Sequence, residues 1–431
     1  MAQAESGAHC SCALVTGQVE QAASQAAVQA LDALDSGSSP SLAIVEVCSP
    51  GDPDSAGRAL ALAARAIADA APGCSVIGSS AHGVIGAAES AELRPAVSVW
   101  VAALPGERPR GFRLAAVPGP GGGAAVKGLP DLSEQDRLGV LLVDPWSLPV
   151  DDVVGSFARV DGALPVVGGL VSGARRGESR LMLDGAVFGN GAVGVILGAQ
   201  APVRAVVSQG CRPIGHPMTV TESHGNALVS LAGRPALERV RDAVSALDPD
   251  DQALAVRGLH VGIAHEGLGD GSTAADYVVR GIIGVDSGSG AIAVGDEVPV
   301  GSVVRLHLRD ADSADADLRE VVSAIGGDAA VGAYLFTCNG RGSAMFTSAD
   351  HDAAIVRAGL GSVPVGGFFA AGEIGPVGGA NHLHGFTAVV LVVDATTVLS
   401  DVEIFRDVGA SASPSVDLDA ELRSLLDPDV P

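Results

Sequence analysis

The stretch from Val331 to Pro376 opens with V-G-A-Y-L-F-T-C-N-G-R-G (Val331–Gly342) and closes with V-P-V-G-G-F-F-A-A-G-E-I-G-P (Val363–Pro376). The first segment is an apolar run of strand length that breaks into Cys338, Asn339, Gly340, Arg341 and Gly342. The second sets Phe368 and Phe369 between Gly367 and Gly372 and carries Glu373 as its lone charge. A short helical pattern joins them, so the unit reads strand, helix, strand, with a glycine-rich loop after each strand. Loops of this kind offer backbone amides to a ligand with little steric obstruction.

The same order of elements is read twice more upstream, which decides the fold class more firmly than any single motif. One copy has a strand at Leu42–Cys48, a helix from about Ser55 to Ala70, the segment Gly73-Cys74-Ser75-Val76-Ile77-Gly78, a glycine loop through Gly86 and a strand at Ala96–Leu104. Another has a strand at Leu138–Asp144, a helix capped by Ser147 with Pro149 in its first turn, the segment Leu164–Gly169, a loop around Ser172-Gly173 and a strand at Gly191–Leu197. In the opening stretch the helix starts near Ser348, and the last strand is Phe386–Val393. Near-continuous apolar strands belong to covered sheets. The expectation is an α/β protein: two domains of mixed sheets covered by helices, with an internally repeated strand–helix–strand–glycine loop–strand unit whose loops converge on one cleft.

Between the second and third copies the pattern changes. Met218–Glu222, the turn His224-Gly225-Asn226 and Ala227–Leu231 read as a hairpin, followed by a helix from Pro235. Strands are expected at Leu259–Ala264, Tyr277–Val285, Ala291–Val294 and Ser302–Leu308, and a capped helix at Ser313–Ile325. An alanine-rich helix is expected from Gln18 to Leu34. The domain reading is a disordered tail over 1–12, an N-terminal α/β domain over 13–208, a C-terminal α/β domain over 209–400 and a tail over 401–431. The Cys10-Ser11-Cys12 pair beside His9 then falls in a tail and is no metal site. The Pro118–Gly123 run lacks the Lys-Ser/Thr of a phosphate loop and reads as a flexible connection.

With 50 acidic and 26 basic residues the net charge is −24, and Lys127 is the sole lysine. Such a chain repels phosphate backbones, which disfavours nucleic acid and anionic membranes as partners. The first thirty residues hold Glu5 and Glu20 and no basic residue, and no apolar run has the length of a spanning helix. Six cysteines without framework spacing fit reduced thiols, so a cytoplasmic protein is expected. Serine-hydrolase, zinc-peptidase, Walker and C-x-x-C motifs are absent from the sequence, so the expectation is a non-enzymatic protein.

Arg341 and Glu373 are either a structural ion pair or a clamp for the two ends of a zwitterionic ligand. Cys338 is either a small hydrophobe or a thiolate favoured by Arg341. Of Phe368 and Phe369, which point to opposite faces of a strand, one is expected in the core and one on a pocket wall. His382 and His384, two apart in N-H-L-H-G, and His82 in S-S-A-H-G are either hydrogen-bonded loop residues or ligands for a metal or haem iron.

These segments together resemble the FIST family, over both its N-terminal and C-terminal domains. The resemblance rests on G-C-S at Gly73–Ser75, P-V-V-G-G-L-V-S-G at Pro165–Gly173 and T-V-T-E-S-H-G-N-A-L-V-S-L-A-G-R-P-A at Thr219–Ala236. It continues through V-R-G-I-I-G-V-D at Val279–Asp286, F-T-C-N-G-R-G at Phe336–Gly342 and G-F-F-A-A-G-E-I-G-P at Gly367–Pro376. It implies a stand-alone sensory protein that binds a small ligand, with amino acids as the suggested class, and signals through a separate partner protein. The candidate ligand-binding residues, read from the glycine-rich loops, are Cys338, Asn339, Arg341, Gly367, Phe368, Phe369, Gly372 and Glu373, with Cys74, Gly168 and Gly169 from the N-terminal half. Some relatives are haem proteins that sense nitric oxide, so a haem-binding gas sensor using His82, His382 or His384 is the alternative. An enzyme built on a Cys338 thiolate is the third reading. Where many relatives place a Gly-Glu pair, this chain has Ser79-Ser80-Ala81-His82, which puts a carboxylate contact from that loop in doubt. Oligomeric state and cofactor, none or haem, stay open.

Overall fold

Runs such as L-A-I-V-E-V-C and L-G-V-L-L-V have no wet face, and burial on both sides is what they receive. The structure is a computed structural model that describes residues 7–396 apart from 88, 120–123, 160–161, 265–276 and 327–328. It is an α/β fold, two domains of mixed sheets with helices on their faces. The first sheet runs β1 (His9–Thr16), β6 (Ala96–Ala103), β2 (Leu42–Cys48), β3 (Ser75–Ser80), β13 (Leu181–Leu183), β14 (Ala186–Phe188). The second runs β8 (Ala124–Lys127), β7 (Arg110–Pro118), β15 (Ala192–Gly198), β9 (Asp136–Val143), β12 (Val166–Leu170), β26 (Glu373–Val377), β27 (Ala380–His384). The third runs β16 (Val203–Ser208), β28 (Ala388–Asp394), β24 (Ala330–Cys338), β25 (Val365–Ala370), β4 (Gly83–Gly86), β5 (Glu89–Glu92). A ribbon of β10 (Ala158–Arg159) and β11 (Gly162–Ala163) stands beside the second.

Each of these sheets is centred on a parallel pair: β2–β3, β9–β12 and β24–β25. The connecting helices are α2 (Pro53–Ala70), α3 (Val150–Gly155), and the pair α7 (Gly342–Met345) and α8 (His351–Gly359). On one side lies an antiparallel strand, β6, β15 or β28. On the other lies a hairpin that belongs to a different sheet's connection. Hairpin β4–β5, which follows β3, adds to β25; β13–β14, which follows β12, adds to β3; β26–β27, which follows β25, adds to β12. The segments expected as glycine loops are thus paired strands, exchanged around a ring of three.

The inner faces of the three sheets meet in one core that includes Ile44, Trp100, Leu142, Val195, Phe336, Phe368 and Leu391. Outside the first sheet, α1 (Val19–Asp32) and α2 pack through Ala23, Ala26, Ala27, Ala59 and Ala63. Outside the third lie α6 (Ala311–Ile325) and α8. The remaining segment makes a barrel in the order β17 (Cys211–His224), β23 (Val303–Arg309), β20 (Leu259–Ala264), β21 (Tyr277–Asp286), β22 (Ala291–Val294), β18 (Ala227–Leu231), with the short β19 (Arg234–Pro235) beyond. Pairing of β17 with β18 closes it. Val220, Leu228, Val261, Ile292, Val304, Leu306 and Leu308 pack together in its core with Ala236 of α4 (Ala236–Ser245), and α5 (Pro249–Arg257) follows, capped by Asp248.

Two local expectations change. Strand β1 starts at His9, inside the stretch expected to be a disordered tail; Cys10 packs against Gly332 and the Cys12 thiol reaches the Val365 carbonyl at 3.5 Å. Ser147 does not cap α3, because its hydroxyl accepts the Gly191 N–H at 2.8 Å and Pro149 holds the cap position. The expected tail at 401–431 lies outside the described residues, as does most of the Pro118–Gly123 run.

Gly168 and Gly367 have packing roles. A Cβ on Gly168 would lie 1.9 Å from the Leu141 carbonyl oxygen, and one on Gly367 2.1 Å from that of Leu335. Each glycine sits opposite the residue it would strike on the neighbouring parallel strand. Gly168→Ala or Gly367→Ala is expected to lower the unfolding free energy by about 2–3 kcal/mol through overpacking. Urea denaturation checks this, and a loss of only a few tenths would mean that the strands can part.

Candidate functional site

At the end of β24 the chain turns sharply: the Asn339 N–H donates to the Ala370 carbonyl at 2.7 Å, and the Arg341 N–H to the Cys338 carbonyl at 2.8 Å. The turn drives Arg341 inward until it is wholly buried. Its guanidinium grips Asp352 of α8 with two bonds, Nε to Oδ2 at 2.7 Å and Nη2 to Oδ1 at 3.0 Å. Asp352 also accepts the Thr337 hydroxyl at 2.5 Å and faces His351 Nδ1 at 3.0 Å. His351 Nε2 lies 2.9 Å from Asp315, and its ring stacks on Phe346 at 3.5 Å. Burial alone would raise the Asp352 carboxyl; the Arg341 charge and these bonds overcome it and hold the group far below the usual carboxylate range.

The lone opposite charges of the two loops therefore do not pair with each other, since Arg341 is committed to Asp352. Glu373 is buried instead beside Thr387, whose N–H and hydroxyl donate to Oε2 at 3.1 and 2.8 Å. The Cys338 thiol is the other side-chain hydrogen-bond partner of this carboxyl. Burial pushes the Glu373 carboxyl up to about 8. Cys338 is buried as well, and burial together with the adjoining Glu373 raises its thiol far above the ordinary range. That corrects the expectation of an Arg341-stabilised thiolate: the guanidinium has another partner, and desolvation wins.

Phe368 and Phe369 are both core residues, which corrects the expectation of a pocket wall. Phe368 meets Phe336 edge-on at 5.8 Å in the central core, and Phe369 faces the layer under α6 and α8. Gly169 is the register partner of Glu373 and lies against Phe368; Gly372 fits between Leu170 and Leu383. Cys74 precedes β3, at the opposite end of that strand from its glycine turn. His384 is buried with Nε2 3.0 Å from the Gly375 carbonyl, and the His382 ring lies 6.0 Å from it. Among the described residues, no group of three or more His, Cys, Asp or Glu is placed to hold a metal ion.

A small open cleft of about 50 Å³ lies elsewhere, at the carboxyl ends of β2 and β3, lined by Ser49, Ser80, His82, Leu93, Ser172 and Glu178. Pro53 and Ala56 from the first turn of α2 close one side. His82 and the loop around Ser172 were legible in the sequence as glycine loops converging on one cleft; Glu178 was not, because pairing of β13 with β3 brings it from the second unit. The Ser172 hydroxyl accepts the His82 N–H at 2.7 Å and donates to the Phe369 carbonyl, which fixes the floor. The His82 carbonyl accepts the Cys48 thiol at 3.1 Å. The His82 imidazole has no hydrogen-bond partner among the described residues. At the matching end of the third sheet the Arg341–Asp352 pair is buried, and Glu92 accepts the Ser343 N–H at 2.9 Å.

The FIST N domain matches residues 41–234 and the FIST C domain residues 236–376. The chain belongs to the FIST family. FIST domains are sensory domains of signal transduction. In this FIST protein the division between the two matches falls inside the barrel, between β19 and α4. The chain is 42% identical over 381 residues to "Uncharacterized protein Rv0628c" of Mycobacterium tuberculosis, covering 87% of this chain and 97% of that one. It is 41% identical over 385 residues to "Uncharacterized protein Mb0898c" of Mycobacterium bovis, covering 88% and 97%. Among the described residues no helix is long and apolar enough to cross a membrane.

Proposed function

We propose that this FIST protein is a non-enzymatic sensor that binds an amino acid or a similar small polar molecule and signals through a separate partner protein. The observation that carries the reading is the open cleft at the carboxyl ends of β2 and β3, the place where open α/β sheets bind ligands. Its side chains come from two units, so a ligand there touches both. An amino acid suits its chemistry: the Glu178 carboxylate, which also accepts the Arg175 N–H at 3.0 Å, pairs with an ammonium group and the His82 imidazole with a carboxylate, while the amino end of α2 is already capped by Asp52. The ligand site proposed is thus the His82 cleft rather than the Arg341–Glu373 loops.

Thermal unfolding against a panel of amino acids tests this, since a ligand at a hundredfold excess over its Kd adds about 2.7 kcal/mol of stability. The shift is expected to vanish in His82→Ala and to fall sharply in Glu178→Gln. A panel without any shift, or a full shift retained by both variants, defeats the reading.

A further inference from the structure

The barrel joins the three sheets through two neighbouring crossings, residues 208–211 leading in and 309–311 leading out. The Ser208 hydroxyl and the Gln209 N–H both donate to Asp317 of α6, at 2.6 and 2.7 Å. Cys211 and Arg309 are register partners, so the crossings lie side by side. Phe386 is set against them. Its ring meets His260 of the barrel edge-on at 4.6 Å, and the Arg309 guanidinium lies 4.8 Å from the ring centre. Its carbonyl accepts from Arg341 at 3.4 Å and presses so close to Gly210 that a Cβ there would lie 1.8 Å away. The Phe386 backbone is left-handed, with φ 61°, a conformation that a bulky side chain rarely adopts and that surrounding contacts must impose.

At another point of the seam Arg280 of β21 reaches out of the barrel. It donates to the Leu383 carbonyl of β27 at 2.5 Å and lies 3.5 Å from Asp151 of α3, while Asp296 of the barrel steadies it at 3.0 Å. The left-handed backbone of Phe386 opposes docking, while the Arg280 contacts, the Phe386 ring contacts and the bonds from Arg309 to the Gly340 and Ala344 carbonyls favour it. Opposed contributions of this kind make a two-position device.

We infer that the barrel is a hinged body, turning about residues 208–211 and 309–311, with Phe386 as its wedge and Arg280 as the clasp that holds it against the three sheets. Two buried thiols report on the seam: Cys211 on the barrel and Cys338 on the third sheet, both within electrostatic reach of Arg309 between them. Cys48 and Cys74, buried in and beside the first sheet, are internal controls.

The test is alkylation of the native full-length chain by N-ethylmaleimide, with peptide mapping of each cysteine over time. The variants are Arg280→Met, which removes the clasp, and Phe386→Gly, which removes the wedge while keeping a residue at ease with a left-handed φ. In Arg280→Met, Cys211 and Cys338 are expected to react at least about tenfold faster, with Cys48 and Cys74 unchanged, as local opening requires. Phe386→Gly is expected to change the rates of the same two thiols and no others. Equal acceleration of all four thiols means global loosening and overturns the hinge. So does acceleration of Cys211 or Cys338 alone, or of neither.

Discussion

Arg341→Met is expected to remove about 3–5 kcal/mol of stability, because it leaves the Asp352 carboxylate buried without its cation. Asp352→Asn should cost a similar amount for the converse reason. Both side chains are almost fully buried and share two bonds, so solvent does little to screen them. The double variant should lose clearly less than the two single losses added together, as paired residues do in a mutant cycle. Urea titrations of the four proteins decide it; single losses below about 1 kcal/mol would mean that water reaches the pair. The same result bears on ligand studies: an Arg341 variant that fails to respond to a ligand has lost its fold before it has lost a contact.

The second large effect is a stability profile shaped by four buried groups. Burial raises the Glu46 and Glu373 carboxyls to about 8, from 4.5. Glu46 accepts the Ser79 hydroxyl at 2.6 Å and that of Tyr334 at 3.1 Å, bonds that offset only part of the desolvation. Burial lowers the His260 and His307 imidazoles to about 4, from 6.5. Above pH 4.5 the unfolded chain sheds carboxyl protons that the fold retains, so the carboxyls contribute stability that falls as pH rises to 8. Between pH 4 and 6.5 the unfolded histidines take up protons that the folded ones refuse, so the histidines contribute stability that rises with pH. Two groups of each kind nearly cancel from pH 4.5 to 6.5, and stability should be flat there. From pH 6.5 to 8 only the carboxyls act, and the fold should lose about 4 kcal/mol. Glu46→Gln combined with Glu373→Gln should flatten that decline. A wild-type protein as stable at pH 8 as at pH 6.5 would contradict the profile.

The parallel pairs were legible because β2, β9 and β24 are continuous apolar runs followed by helical patterns. The hairpins were not. Gly83-Val84-Ile85-Gly86 has the length and composition of a loop, and its pairing with β25 is set by tertiary contact that no local pattern encodes. The same blindness misplaced the site. Arg341 and Glu373 stood out as lone charges in glycine loops, whereas Asp352 looked like an ordinary acidic residue in a helix's first turn. The cleft that is open takes Ser172 and Glu178 from the connection between β12 and β13, which pairing of β13 with β3 brings beside His82.

The ring of exchanged hairpins also governs how the chain can fold. Val84 pairs with Phe368, Gly78 with Met182 and Gly169 with Glu373, so each sheet waits for a strand from another before its edge is covered. A ring has no first member that can be completed alone. Closing such distant pairings costs chain entropy before any contact rewards it, which makes folding slow. Until the last hairpin arrives, β3, β12 and β25 are open edges able to capture strands from another chain. The first sheet has all its strands once Phe188 has been made, but the second waits for β26–β27 and the third for β24, β25 and β28, so a fragment made of the N-terminal half would be an aggregation-prone piece rather than a smaller protein.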